Sequence, residues 1–186
     1  MFPDIFRFNG IISIPMFALA TTYFWNRAVG FDHKNRPISE TILWLKNPID
    51  RVLYRLSFVF KSLLDVGFIW WLLDRYKIGF GSVVSMILFG SLVLYGLLAI
   101  FVKKNDSSTT HWLIAFSSGI LWIAGQVFLV IIINNLVLNF LACFYVLLTT
   151  RQVLVMMMAN NVKSTSQVTF FWCLYIWTAI ITFGNW

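Results

Sequence analysis

Residues 112–150 read WLIAFSSGILWIAGQVFLVIIINNLVLNFLACFYVLLTT, and this stretch decides the fold. It contains no Asp, Glu, Lys or Arg. Its length is close to twice the roughly 20 residues that a helix needs to cross a bilayer. Only Asn134 and Asn135 mark a turn within it. The stretch therefore predicts two membrane helices joined by a very short turn.

The composition of the whole chain supports the same class of fold. The 186 residues are 60% hydrophobic and 11% charged, whereas soluble domains are about half apolar and about a quarter charged. A bilayer accommodates this apolar surface only if every backbone polar group is paired, as in helices or closed barrels. The apolar runs are continuous and do not alternate, which favours helices.

We therefore expect an all-α, polytopic transmembrane helical bundle that forms one domain over residues 1–186. The apolar runs predict six spans, at about 11–25, 52–73, 80–102, 111–133, 136–158 and 168–183. Within the third span, Ser85, Gly90 and Gly96 are typical of close helix packing. Cys143 and Cys173 fall within spans, and we expect them to be small core residues.

The connection between the first two spans, residues 26–51, is the longest in the chain. Ser39 could cap a short helix there, because serine accepts hydrogen bonds from the free amides of a first turn. The apolar residues of that helix would lie in the membrane interface (Ile42, Leu43 and Leu45). An ordered polar loop without a helix is the alternative.

The basic residues are distributed unequally between the two sides of the predicted bundle. One side carries nine (Arg27, Lys34, Arg36, Lys46, Arg51, Lys103, Lys104, Arg151 and Lys163), and the other carries three (Arg7, Arg75 and Lys77). Because Lys and Arg are enriched in cytoplasmic loops, the first loop should be cytoplasmic and both termini non-cytoplasmic. The net charge of +7 indicates anionic headgroups as partners. It does not indicate nucleic acid, because the chain lacks a basic stripe with interleaved aromatics.

Two ionisable residues fall near the middle of the second predicted span, Lys61 and Asp65. Charges at that depth are costly and are functional candidates by default. Their i, i+4 spacing places them on one helix face, where they can pair. The pair could line a polar cavity together with Gln126, or it could be a purely structural ion pair. Gln126 could equally join two helices through its amide.

Arg151 lies late in the fifth predicted span, with Gln152 beside it. Arginine matches phosphate oxygens with two parallel hydrogen bonds, so Arg151 could bind a lipid headgroup. The alternative is an anchor at the helix end.

No catalytic signature is present in the chain. Asp65 is the single deeply placed carboxylate, and the two histidines are far apart in sequence. Zinc spacings, the nucleophile-elbow pattern and the phosphate-binding loop are absent. We therefore predict no catalytic residues, no metal and no cofactor.

The first loop resembles a known pattern. The segment 36–43 with Ser39 and Glu40, the following Asn47 and Pro48, and the start of the second span are similar to six-pass proteins of the DRAM/Frag/Sfk group and their prokaryotic relatives. His111 opening the fourth span also resembles that group. The resemblance implies a role in lipid organisation or membrane remodelling, with Ser39, Glu40 and His111 as the marked residues. It also implies a first loop outside the cytoplasm, which is the reverse of the orientation that the basic residues predict.

Taken together, these features predict a membrane protein that handles a lipid or small solute without covalent catalysis. Two other functions stay open: the substrate-binding subunit of a transporter, and a structural or assembly subunit of a larger membrane complex. In either case, the partners would include another membrane protein as well as membrane lipids. An internal cavity would favour lipid or solute handling, whereas a solid bundle with a broad apolar flank would favour the assembly subunit.

Overall fold

The computed structural model describes residues 4–32, 34, 36, 38–98, 109–158 and 164–184, and every regular element within these ranges is helical. A 3₁₀ turn at Asp4–Phe8 leads into α1, and a second at Ile38–Glu40 leads into α2. The helices are α1 (Asn9–Arg27), α2 (Thr41–Trp44), α3 (Pro48–Arg75), α4 (Val83–Leu98), α5 (Thr109–Ile133), α6 (Leu136–Met158) and α7 (Ser164–Phe183).

Four stretches of the described chain are long and apolar enough to cross a membrane. They are Asp4–Arg27, Pro48–Arg75, Leu113–Ile133 and Leu136–Val155. Two shorter apolar helices, Val83–Leu98 and Gln167–Phe183, accompany them. Each of the six predicted apolar runs thus contains one helix, although residues 99–102 of the third run lie outside the described part. We call these six helices (α1 and α3 to α7) the long helices, to distinguish them from the four-residue α2.

Local capping chemistry explains where two of the helices begin. α3 starts at Pro48, before the predicted residue 52, because the Asn47 side chain accepts a hydrogen bond from the Ile49 amide at 2.9 Å. Proline at the first helical position is also pre-organised for a helix. The predicted turn after α5 is confirmed. Asn134 has φ 53°, and the Asn135 side chain accepts from the Leu138 amide at 3.1 Å.

The six long helices close into a ring. Each packs against the next one along the chain, and α7 packs back against α1. α4 packs tightly against α5 at Gly125, where an added Cβ would lie 2.5 Å from a Leu88 methyl carbon. The close contact expected at Gly90 is absent among the described residues. Cys143 is exposed, so its prediction as a core residue is wrong.

The first loop covers one end of this ring. Residues 38–45, which we call the cap segment, comprise the second 3₁₀ turn, α2 and Leu45. The predicted short helix is present, but Ile42 and Leu45 are buried against Phe24 and Tyr54 and do not lie in an interface. Ser39 is not its cap, because Glu40 occupies that position without a capping hydrogen bond. Pro37, Lys103, Lys104 and Lys163 lie outside the described residues.

Candidate functional site

The centre of α3 carries a buried ion pair. Lys61 and Asp65 lie one helical turn apart and are only 5% and 4% exposed. The Lys61 ammonium donates a hydrogen bond to Asp65 Oδ2. The Ser13 hydroxyl of α1 donates to the other oxygen, Oδ1, at 2.5 Å. Both oxygens of the carboxylate are therefore hydrogen-bonded, which is how a protein stabilises a buried charge.

The Lys61 ammonium keeps hydrogen-bonding capacity beyond this pair. It has three N–H donors, and Asp65 is its one hydrogen-bond acceptor among the described residues. The Lys61 nitrogen also lies 4.7 Å from the centroid of the Tyr95 ring in α4, which is a cation–π contact. The Tyr95 hydroxyl is itself buried, and the described residues supply no partner for it.

These groups face a cavity of about 120 Å³ inside the ring of helices. All six long helices contribute to its wall, from Ile14 in α1 to Thr178 in α7. A water needs roughly 10–15 Å³ of such space, and an apolar cavity of about 150 Å³ holds benzene. The cavity therefore has room for several waters or one small organic group, but not for a whole lipid.

Two serines in the cavity wall offer hydroxyl oxygens. Ser91 of α4 donates its hydroxyl hydrogen to the Leu88 carbonyl at 2.7 Å, and Ser118 of α5 donates to the Ser91 carbonyl at 2.9 Å. Because each hydroxyl has a single donor hydrogen, only acceptor capacity is left on these two side chains. The cavity wall thus combines hydrogen-bond donors at Lys61 and Tyr95 with hydroxyl acceptors at Ser91 and Ser118.

Gln126 is not part of this cavity wall. Its Oε1 accepts a hydrogen bond from Trp177 Nε1 at 3.1 Å, and the Trp177 ring stacks on Tyr145 at 4.7 Å between centroids. The structure therefore separates Gln126 from Lys61 and Asp65. The amide instead joins α5 to α7, which is the alternative that the sequence left open.

Two of the three residues marked by the family resemblance come together. Ser39 Oγ and His111 Nε2, which are 72 positions apart, lie 2.8 Å from each other in a buried hydrogen bond. The third, Glu40, pairs with Arg36 at 3.2 Å on the more exposed side of the cap segment.

Three further hydrogen bonds hold the cap segment. Tyr54 of α3 donates to the Ile38 carbonyl at 2.7 Å, and the Ile38 amide donates to Gln167 of α7 at 2.7 Å. Trp25 of α1 donates to Thr41 at 2.9 Å. With the His111 contact from α5, four helices bind the segment. Gln167 also lines the cavity, so the cap segment and the cavity share a residue.

Arg151 lies late in α6 and is exposed. In the part of the chain that the structure describes, Arg151 forms no ion pair. No group of His, Cys, Asp or Glu side chains among the described residues is arranged to hold a metal ion.

The fold thus defines the class of the protein, because the described residues form an all-helical fold in which four helices are long and apolar enough to cross a membrane. Comparisons of the chain with protein-family models, with curated proteins and with solved structures find no match.

Proposed function

We propose that the chain is an integral membrane protein of six spans, formed by α1 and α3 to α7. In this proposal it handles a lipid or small solute without covalent catalysis, and the cavity beside Lys61 holds either the small solute or a small polar part of the lipid. The observation that carries the proposal is the cavity itself, with an ammonium and a phenol that keep unused donors in a largely apolar wall.

The outer surface of the ring supports the membrane placement. Large apolar side chains point away from the bundle, among them Leu136 at 84% and Leu147 at 67% exposed. In water such surface costs roughly 25 cal/mol per Å², whereas lipid tails are as apolar as leucine. The described part of α4 is short for a span, and the predicted run continues beyond it to residue 102.

The donors in the cavity support binding of a small group rich in acceptors. The Lys61–Asp65 pair is neutral overall, so a neutral group with a carbonyl or hydroxyl oxygen is better matched than a bare ion. Such an oxygen would replace the hydrogen bonds that Lys61 and Tyr95 lose on burial.

The test is a comparison of what co-purifies with three variants. Ser118→Leu fills the cavity, and Lys61→Met removes its ammonium. Cys143→Leu adds comparable volume at an exposed position and is the matched control. Extracts of the purified proteins are compared by mass spectrometry. We expect a small molecule or lipid that is present with wild type and the control but depleted with both cavity variants. Identical extracts from all four proteins would contradict ligand handling at this site.

One observation favours a second candidate, the assembly subunit. α6 exposes a broad apolar flank that includes Phe140, Phe144 and Leu147. Lipid would cover this flank equally well. Mass measurement in lipid nanodiscs separates the two possibilities. A single chain per particle supports the first proposal, and a stable larger assembly that Phe144→Ala disrupts supports the second.

A further inference from the structure

A second concavity lies on the outside of the ring, between α1 and α7. It is an open groove of about 600 Å³. Its walls are almost entirely apolar and aromatic, and include Ala18, Leu19 and Trp25 of α1 and Phe171, Trp172 and Tyr175 of α7. The groove is not filled by any described part of the chain, so its walls are open to whatever surrounds the protein.

The length of the groove matches one half of a bilayer. Along α1 it extends from Ile14 to Trp25. At 1.5 Å per residue, these positions are separated by roughly 16 Å along the helix axis. The hydrocarbon core of a bilayer is about 30 Å thick, so one leaflet contributes about 15 Å. A single extended acyl chain of one leaflet has this length and this chemistry.

The two ends of the groove differ in polarity. One end reaches Trp25 and Ile38, beside the cap segment. Residues 27–51 on that side contain five basic and three acidic residues, an excess of positive charge. The other end is at mid-helix, where Ile14 and Phe171 line both the groove and the internal cavity. The groove and the cavity therefore share these two wall residues.

We infer that the α1–α7 groove binds one acyl chain of an anionic phospholipid from the leaflet on the basic side. The headgroup lies beside the cap segment, and the chain runs along α1 and ends at Ile14 and Phe171. The inference rests on the proposed placement of the protein in a membrane, and it names the class of lipid that the protein binds there. It also brings the end of the acyl chain to Ile14 and Phe171, which line the internal cavity as well.

The test uses the full chain in detergent with phosphatidylglycerol as the probe. Ala18→Trp fills the groove at an exposed lining position, and Leu19→Trp is a second variant in case the first does not fold. Leu147→Trp on α6 is the matched control, because it adds the same ring to an exposed site away from the groove. Native mass spectrometry counts the phospholipid retained, and a titration gives its affinity. Each protein is first checked for a wild-type melting profile.

Each buried methylene contributes about a fourfold factor in affinity. A tryptophan that displaces two or more methylenes is therefore expected to weaken binding by at least about tenfold, while the control binds as wild type does. Equal affinity in the folded groove variants and the control overturns the inference and leaves the cavity proposal intact. A second titration replaces phosphatidylglycerol with phosphatidylcholine. Weaker binding of phosphatidylcholine supports the preference for an anionic headgroup, and equal binding of the two lipids contradicts that preference. A chain that stays monomeric in water without detergent contradicts the membrane placement itself.

Discussion

Replacing Lys61 by methionine is expected to leave Asp65 as an uncompensated charge in the centre of the ring. Only the Ser13 hydroxyl then remains bonded to the carboxylate. Breaking a buried ion pair by removing one partner typically costs about 3–5 kcal/mol. For a chain of this length, 1 kcal/mol corresponds to about 2–4 °C, so the melting temperature in detergent should fall by roughly 6–20 °C. Asp65→Leu should cost a similar amount, reduced by the contact that Lys61 keeps with Tyr95.

The double variant separates a coupled pair from two independent residues. With both charges removed, no lone charge is buried, and apolar replacement of a buried pair is often neutral. We therefore expect the double variant to lose no more stability than either single variant. With single losses of about 3–5 kcal/mol, this corresponds to a coupling energy of at least about 3 kcal/mol. Lys46→Met, at an exposed lysine, is the control and should leave the melting temperature unchanged. Strictly additive losses would refute the reasoning, because they would mean that the two side chains do not interact.

The same cycle distinguishes a functional pair from a structural one. Recovery of stability without recovery of the co-purifying ligand would assign the pair to ligand binding. Recovery of both the stability and the co-purifying ligand would mean that the pair is purely structural, the alternative that the sequence left open.

Three other predictions concern orientation, lipid contact and the cap segment. In a cysteine-free background, a cysteine at Lys34 should be shielded from an impermeant thiol reagent in intact cells, and one at Lys77 should be labelled. The reverse pattern would establish the opposite orientation, the one that the family resemblance implies. Arg151→Leu should weaken co-purification of anionic lipid, and an unchanged lipid content in the folded variant would reduce Arg151 to an anchor. Ser39→Ala should lower the free energy of unfolding by about 1 kcal/mol, because it removes the buried hydrogen bond to His111. It should also raise amide exchange across residues 38–45, and unchanged exchange would mean that this bond does not hold the segment.

The helices were predictable because each is encoded locally. Continuous apolar runs between polar breakers place six long helices, and the Asn134–Asn135 pair marks a turn that the structure confirms through the positive φ of Asn134. The i, i+4 spacing similarly predicted the Lys61–Asp65 pair. Each of these features depends on residues close together in sequence.

The remaining parts of the site depend on contacts between distant segments. The second hydrogen bond to Asp65 comes from Ser13, 52 residues away, and an isolated serine in a span gives no signal of that role. Gln126 could have faced the cavity or a neighbouring helix, and its partner Trp177 decides the matter. The apolar face of the cap segment fits a membrane interface and the end of a helical bundle equally well. Its burial in the bundle could therefore be recognised only from the structure.

The cap segment has a consequence for the order in which the protein is made. The Ile38 amide donates to Gln167 of α7, which lies 129 residues later in the sequence. During synthesis earlier helices emerge first, so the hydrogen bonds of the cap segment are incomplete until α7 has been made. Contacts of such sequence separation form late because their loop-closure entropy is high. The first loop therefore completes its hydrogen bonds only after α7 has docked, the step that also closes the ring between α7 and α1.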